Sequence, residues 1–594
     1  MKIFTRMIKG LRHLKHYGLR ATLKKVKEVL FHQIELFERY TDADIEAQRS
    51  EAFPRDIKFS ILVPLYNTPI EFLDDMIDSV MQQTYSHWEL CLADGSDEAH
   101  AEVGTHVQAI ADKDPRIVYR KLEKNLGISE NTNVCIDMAT GDYIALFDHD
   151  DLLHPAALHE VMHAICEKNA DFIYTDEAVF LSPNKKKIIA AHYKPDFGID
   201  TLRSVNYICH LSVFRRALLE KVGKFRPEFD GSQDHDMILR LTEQAECIVH
   251  IPRVLYYWRS HSKSVASGIG AKTYAIDAGK KAVLESVQRS GMNAVVESTE
   301  QMETFYRIRY EIPNKEKVSI IIPNKNHCAD LRKCVTSILE KTTYPNYEIV
   351  IVDNGSDEAE LRDYYEELKK DARISVWDYD IPFNYPKVNN YGISKATGKY
   401  YLLLNNDIEI ITPEWIEEMV MFVQREDVGA AGAMLYFDND TVQHGGVIVG
   451  IGNYAGHAFK GLLRQECGQM GRMIHAQNLS GVTAACMLVK ASVYHEVGGL
   501  DEGFAVACND VDLCLKIRQA GYLIVWTPFA KAYHYESRSR GYEDTPEKQA
   551  RFEGELARFR ERWAKVLEEG DPYYNENLTL DREDFLIRDN KTKR

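Results

Sequence analysis

The sequence predicts an α/β protein made of two tandem copies of one domain, each built on a mainly parallel sheet. Apolar runs of strand length alternate with helix-length amphipathic segments, which is the pattern of βαβ units. The series that opens at Phe59 opens again at Val318. The repeating unit is therefore a whole domain of roughly 200 residues and not the 20 to 50 of a solenoid. In each copy a Gly turn releases an apolar run that ends in an acidic cluster, Thr140-Gly141-Asp142-Tyr143-Ile144-Ala145-Leu146-Phe147-Asp148-His149-Asp150-Asp151 and Thr397-Gly398-Lys399-Tyr400-Tyr401-Leu402-Leu403-Leu404-Asn405-Asn406-Asp407. A buried strand delivers carboxylates to a sheet edge in this way.

In chain order, residues 1–40 hold ten Lys/Arg against three acids, with Ile3, Met7, Leu11, Leu14, Leu19, Leu23 and Val26 at roughly helical spacing. Two readings stand level. One is a basic helix lying on anionic lipid, each basic residue contributing about 1 kcal/mol; the other is a helix packed on the next domain. A polar stretch to about Asp56 precedes the strand Phe59–Asn67, a helix from about Pro69 to Gln83, and the strand Trp88–Asp94 closing on Gly95-Ser96. A helix over 101–111, a short strand at 117–119 and a helix over 129–139 lead into the acidic strand.

Val318–Asn326 and Tyr347–Ser356 repeat the first two strands, and both Pro64 to Asp94 and Pro323 to Asp353 span 30 residues. Asn133 and Asn390 each precede their Gly by eight. Between the copies, Ala271–Arg289 reads as a linking helix and Asn293–Tyr310 as extended chain. Pro546–Leu567 reads as a charged amphipathic helix, and the turn-rich tail around Asp571-Pro572 as packing.

Composition narrows the function. An apolar share of 45% is that of a globular chain, and 594 residues exceed one core. A formal charge of −17 argues against general nucleic-acid binding. Eleven cysteines without a CxxC pair suit reduced thiols better than disulfides or structural zinc. With no run of 18 apolar residues and no signal-peptide pattern, the expected location is the cytoplasm, with a peripheral place on the inner face of the membrane under the lipid reading of the N-terminus.

Asp-x-Asp alone is weak, since it also occurs at Asp378/Asp380 and Asp438/Asp440. Context strengthens it, because carboxylates at the carboxyl end of a parallel strand lie where open α/β sheets bind ligands, and hard oxygen donors there suit Mg²⁺ or Mn²⁺ carrying phosphates. Two later features recur. An acidic pair opens an amphipathic helix at Asp234/Asp236 and at Asp510/Asp512; a lone pair of this kind is more often a dipole partner or cap. A His-x-x-Ser follows at His261 and at His534, 27 and 24 residues beyond Asp234 and Asp510.

With these motifs, each copy resembles a family 2 glycosyltransferase domain of the GT-A fold, the Rossmann-like nucleotide-diphospho-sugar transferase architecture. The whole chain resembles tandem glycosyltransferases of bacterial O-antigen and related surface polysaccharides. The resemblance implies a helical N-terminal extension at 1–55, GT-A domains at 56–270 and 317–545 with a linker at 271–316, and a C-terminal helix and tail at 546–594. It implies that Asp94 and Asp353 hold the nucleotide base, that Pro64, Asn67, Asp148, Pro323, Asn326 and Asn405 line the nucleotide-sugar site, and that Asp150, His261, Asp407 and His534 hold Mn²⁺ or Mg²⁺. Asp234 and Asp510 become the general bases of an inverting transfer.

Implied partners are UDP- or dTDP-sugar donors and a glycan acceptor, lipid-linked if the N-terminus meets membrane, and no nucleic acid. Departures from the family pattern are Gln233 and Asn509 before the base, and Asn405-Asn406-Asp407, which has one carboxylate fewer than Asp148-His149-Asp150 but resembles rhamnosyltransferase-like members. Both sites are expected to be active; the alternative makes the second copy an acceptor-binding scaffold. Nucleotidyl transfer lacks its Gly-rich loop after the first strand, and a processive membrane synthase lacks its helices.

Overall fold

The computed structural model describes Ile34, Leu36 and residues 40–261, 273–535 and 545–588. The basic segment expected to be helical over residues 1–40 therefore lies outside the described residues apart from Ile34, Leu36 and Tyr40, as do Ser264 and Ser537 of the two His-x-x-Ser motifs. In copy one, β1 (Phe59–Leu65), β2 (Trp88–Asp94), β3 (Ile117–Lys121) and β4 (Tyr143–Leu146) form a parallel sheet in the order β3-β2-β1-β4. Every residue of β1 and β2 is buried, which is why they read as unbroken apolar runs. The helices Ile70–Met81, Ala101–Ala111 and Ile128–Met138 follow the first three strands as expected.

Beyond β4 the sheet becomes mixed. β5 (Leu152–Leu153), β6 (Phe172–Leu181), β7 (Asn184–His192), β8 (Ser212–Arg215) and β9 (Ile248–Ser260) extend it as β4-β8-β6-β9-β5, with β7 paired to β6. The step onto β8 is antiparallel. The helix Thr273–Arg289 and the hairpin of β10 (Ala294–Ser298) and β11 (Tyr306–Tyr310) join the copies.

Copy two repeats the path. Its parallel half is β12 (Val318–Asn324), β13 (Tyr347–Asp353), β14 (Ile374–Asp378) and β15 (Tyr400–Leu404), in the order β14-β13-β12-β15. It continues through β16 (Ile408–Ile410), β17 (Val428–Tyr436), the short β18 (Val442–His444), β19 (Val447–Val449), β20 (Ala455–His457) and β21 (Gln477–Asn478), then β22 (Cys486–Lys490) and β23 (Leu523–His534). The remaining path is β15-β22-β17-β23-β16.

The same two devices shape both copies. At the foot of the acidic strand, a Cβ on Gly141 would lie 2.6 Å from the Lys58 carbonyl, and one on Gly398 would lie 2.7 Å from that of Lys317. Only glycine permits that approach. It lets Ser60 and Ser319 accept the Gly N–H while donating to Glu89 and Glu348. At the head, the β1–β4 ladder ends at Leu62 and the β12–β15 ladder at Ile321, two residues before Pro64 and Pro323. A proline has no N–H for a ladder, and β1 and β12 stay paired with β2 and β13 as far as Asp94 and Asp353. The sheet therefore splits between the first and fourth strands, at the topological switch point where α/β ligands bind.

The copies share an apolar core that runs from Leu62 and Ile144 through Val283, Val287 and Ile308 of the joining segment to Leu402 and Val525. Across it, the buried Arg425 guanidinium pairs with Asp200, whose other oxygen accepts from Asn478 at 2.8 Å. The C-terminal tail returns to copy one, where buried Asn575 donates to Asp176 at 2.9 Å and to the Lys194 carbonyl at 2.9 Å. The tail thus packs as expected, and it also stitches the two copies. Among the described residues no helix is long and apolar enough to cross a membrane, and all eleven cysteines are free thiols.

Candidate active sites

In copy one, β4 delivers Asp148, His149, Asp150 and Asp151 to the split in the sheet. Asp148 lies 3.3 Å from His210 Nε2, and the buried His210 ring stacks on Tyr256 with centroids 5.0 Å apart. Burial alone would strip this imidazole of its proton, but Asp148, Asp234 and Asp151 around it push it up to about 10, so it is a cation at neutral pH. Burial likewise opposes the charge on Asp148, and the His210 cation outweighs it and keeps that carboxyl below the usual range. Asp150 Oδ2 is 3.2 Å from His261 Nε2. Asp151 is buried beside Asp148 and Asp150, which drives its carboxyl well up; it accepts from Tyr256 Oη at 2.5 Å and the Arg259 N–H at 2.7 Å. Asp234 opens the helix Gln233–Thr242, and burial raises its carboxyl to about 6 against the pull of His210.

In copy two, β15 delivers Asn405, Asn406 and Asp407. Asp407 Oδ1 is 3.2 Å from His534 Nε2, and His534 Nδ1 lies 2.8 Å from Gln443 Oε1. The Asn405 amide nitrogen stands 3.2 Å from the same His534 Nε2, and the buried Asn406 donates to Asn324 at 2.6 Å. Asp510 opens the helix Asn509–Gln519 and accepts the N–H groups of Ala484 at 3.2 Å and Val511 at 2.9 Å. These residues line a cavity of about 570 Å³ whose wall also holds Pro323, Asn326, Lys325 and Lys460.

The predicted nucleotide-site residues also superimpose by role. Asn67 and Asn326 adopt left-handed backbone, φ 51° and 54°, a region that asparagine tolerates. Each donates its N–H to the Ser after the second strand (Ser96, Ser356) at 2.8 Å and accepts from the next residue, Asp97 or Asp357, at 3.1 and 2.9 Å. Asp94 and Asp353 end the second strands. Asp94 accepts from the Ser96 N–H, Tyr119 and Lys121, which together outweigh its burial and hold its carboxyl down; Asp353 accepts from Ser356 and from Tyr365 at 2.7 Å. The second acid of each helix pair is structural. Buried Asp236 is held by Arg226 and Arg240, and buried Asp512 by Arg562 and Trp563 of the C-terminal segment.

The glycosyl transferase family 2 model matches residues 60–223 and 319–496. The chain belongs to glycosyl transferase family 2. It is 43% identical to an uncharacterized protein of Sinorhizobium fredii and 36% identical to the O-antigen biosynthesis protein RfbC of Myxococcus xanthus, in each case over 89% of this chain. The chain spans 58% and 41% of the lengths of these two relatives. A Staphylococcus aureus TarS fragment in complex with UDP-GlcNAc aligns with a TM-score of 0.33 at 17% identity, over 39% of this chain and 66% of that one. The two matched regions fall one in each copy, and each holds the parallel half-sheet with its acidic strand.

Within the family 2 sites, the two histidines reach their carboxylates by different routes. Leu152, two residues past Asp150, pairs with Tyr257, and Glu409, two past Asp407, pairs with Tyr533. His261 therefore stands four residues beyond its register mark and His534 one beyond, which accounts for the three-residue difference in spacing along the chain. They do not occupy the same place in the fold, as their common motif suggests, yet both end 3.2 Å from the corresponding acid.

The sequence reasoning missed His210. Leu146 faces Ser212 and Leu403 faces Met487, so the copy-two counterpart of His210 is Ala485. No repeat signal marks the histidine, and only the β4–β8 pairing brings it to the site. It missed His444 and His457 as well. Buried His444 accepts the Thr483 N–H on Nε2 at 3.3 Å, so its Nδ1–H donates to Nδ1 of His457, 2.8 Å away on the cavity wall. Burial, with His457 and His534 nearby, keeps His444 neutral by lowering its pKa far below the ordinary value.

Each family 2 site offers one carboxylate oxygen and one imidazole nitrogen converging within 3.2 Å. A donor pair of this kind fits a divalent ion.

Proposed function

We propose that the chain is a bifunctional inverting glycosyltransferase, each copy moving a sugar from a UDP- or dTDP-sugar onto a growing bacterial surface glycan, with rhamnosyl transfer among the candidate reactions. One observation carries the reading: both copies set a carboxylate–imidazole pair (Asp150–His261, Asp407–His534) and a helix-opening aspartate (Asp234, Asp510) around the split after Pro64 and Pro323. The M. xanthus relative's name, an O-antigen biosynthesis protein, supports a surface glycan as product.

In this reading the nucleoside lies against Asp94 or Asp353 and is flanked by Pro64, Asn67 and Asp148, or by Pro323, Asn326 and Asn405. Asp234 and Asp510 take the proton of the acceptor hydroxyl as its oxygen attacks the anomeric carbon opposite the diphosphate, which inverts the configuration. The carboxylate–imidazole pair would hold a Mn²⁺ or Mg²⁺ ion, whose charge would offset that growing on the leaving diphosphate. In copy one a base with a carboxyl near 6 is poised to accept a proton at neutral pH and release it again.

The test is transfer with Mn²⁺ or Mg²⁺ across a panel of UDP- and dTDP-sugars. Asp150→Ala and Asp407→Ala are expected to abolish use of different donors. A second reading, copy two as acceptor-binding scaffold, draws on the replacement of Asp148 and Asp151 by Asn405 and Ile408. It wins if Asp407→Ala changes nothing while Asp150→Ala removes all transfer. A lipid-linked acceptor met at an anionic membrane is proposed from the basic residues 1–40, and unchanged vesicle co-sedimentation after their deletion overturns it.

A further inference from the structure

Away from both sites, the helix Ala157–Lys168 presents His159 and His163 four residues apart on one face. The polar strap that precedes β1 crosses this face. Arg55 of the strap donates to the Ile165 carbonyl at 3.3 Å and to Asn169 at 3.1 Å. Phe53 packs edge-on against both imidazoles, with centroids 5.2 and 5.1 Å away. Glu51 sets its carboxylate between them, one oxygen 2.9 Å from His159 Nε2 and the other 3.1 Å from His163 Nε2.

All three ligand atoms lie within 4.8 Å of one another. On one tetrahedral zinc ion with bonds near 2.0–2.1 Å, donor atoms are about 3.3 Å apart, a spacing that lies between the 2.9 and 3.1 Å carboxylate–imidazole contacts and the 4.8 Å bound on the whole set. The other ring nitrogen of His163, Nδ1, lies 3.0 Å from Glu167, the kind of carboxylate partner that fixes tautomer and orientation in metal-bound histidines. His159 is buried, and its Nδ1 has no hydrogen-bond partner, the Glu160 carboxylate standing 3.9 Å away. Glu51 is exposed, which leaves a fourth position to water.

We propose that Glu51, His159 and His163 form a Zn²⁺-class metal site that fastens the strap ahead of β1 to the first GT-A domain. Two nitrogens and one carboxylate oxygen suit zinc, and the three come from two chain segments 108 residues apart, so the ion acts as a cross-link. The site does not depend on the assignment of the two transfer reactions.

The experiment uses the full chain, stripped with EDTA and re-exposed to ZnCl₂, with bound zinc measured by elemental analysis and cleavage of residues 42–57 followed by limited proteolysis. Wild type is expected to take up one zinc ion more than Glu51→Ala or His163→Ala, both partly exposed positions whose substitution leaves the core intact. The same ion should protect the strap in wild type only. Glu167→Gln should weaken zinc binding about 10–100-fold. Asp150→Ala/Asp407→Ala should keep the strap zinc, which separates it from metal in the transfer sites. Equal zinc uptake by wild type and Glu51→Ala, or strap cleavage indifferent to zinc in wild type, overturns the proposal.

Discussion

The two acidic strand ends differ more in charge than in shape. Copy one brings Asp148, Asp150 and Asp151 together with Asp234 and places the His210 cation among them. Copy two has Asn405, Asp407 and Ile408 at the corresponding positions, and Ala485 where the imidazole stood. Carboxylates and their counter-charge have thus been removed together. A buried cation left without its anions would be costly, and so would clustered anions without their cation. Ala485 lies on the wall of the 570 Å³ cavity, which Lys325 and Lys460 also line.

The sharpest way to break this comparison is to remove the base from one copy at a time. Asp234→Asn and Asp510→Asn keep the size of the side chain at the helix start but cannot take a proton, and Asp510→Asn also gives up one of its two acceptor oxygens. Each should lower one transfer reaction by roughly 10²–10⁴-fold and leave the other within twofold, measured as initial rates with the two separated donors. If either variant silences both reactions, the copies do not work as independent sites.

A smaller effect sharpens the role of His210. Its positive charge lowers the Asp234 carboxyl, so His210→Ala should raise that carboxyl by about 1–3 pH units. At pH 7 the ionised base then falls roughly 2- to 100-fold by the same range, and the acid limb of the copy-one rate profile moves upward. The copy-two reaction should not respond. An unmoved limb with a lowered rate would make His210 a packing residue, its ring stacked on Tyr256 serving only to fill space.

Most of the parallel half-sheets was legible because it is local. Each strand carries its own apolar run, its own Gly or Pro stop and a helix directly after it, and the second copy checks the first. Asp150, Asp407, Asp234 and Asp510 were legible for the same reason, as short motifs that recur in order. The mixed half was not, because its neighbours are set by long-range pairing. Nothing near Cys209-His210-Leu211 announces that β8 will lie beside β4. The repeat offered no help where the copies diverge, as with His210 against Ala485 or the region of β18 to β20 that carries His444 and His457. The strap on His159 and His163 escaped notice because Glu51 is distant in sequence from the helix it meets.

The mildest test needs no mutation. A carboxyl near 6 is raised above the ordinary Asp value, so its ionised form, the form that accepts a proton, is present above that pH and lost below it. Between pH 7 and pH 5 the ionised fraction of such a group falls by about tenfold, and the copy-one transfer rate should fall with it when donor and acceptor are saturating. Following the copy-two donor in the same samples separates this local titration from unfolding or metal loss, which would depress both reactions in parallel. A copy-one rate that stays flat down to pH 5 would remove Asp234 from the role of base, and with it the claim that burial beside His210 tunes that carboxyl for transfer.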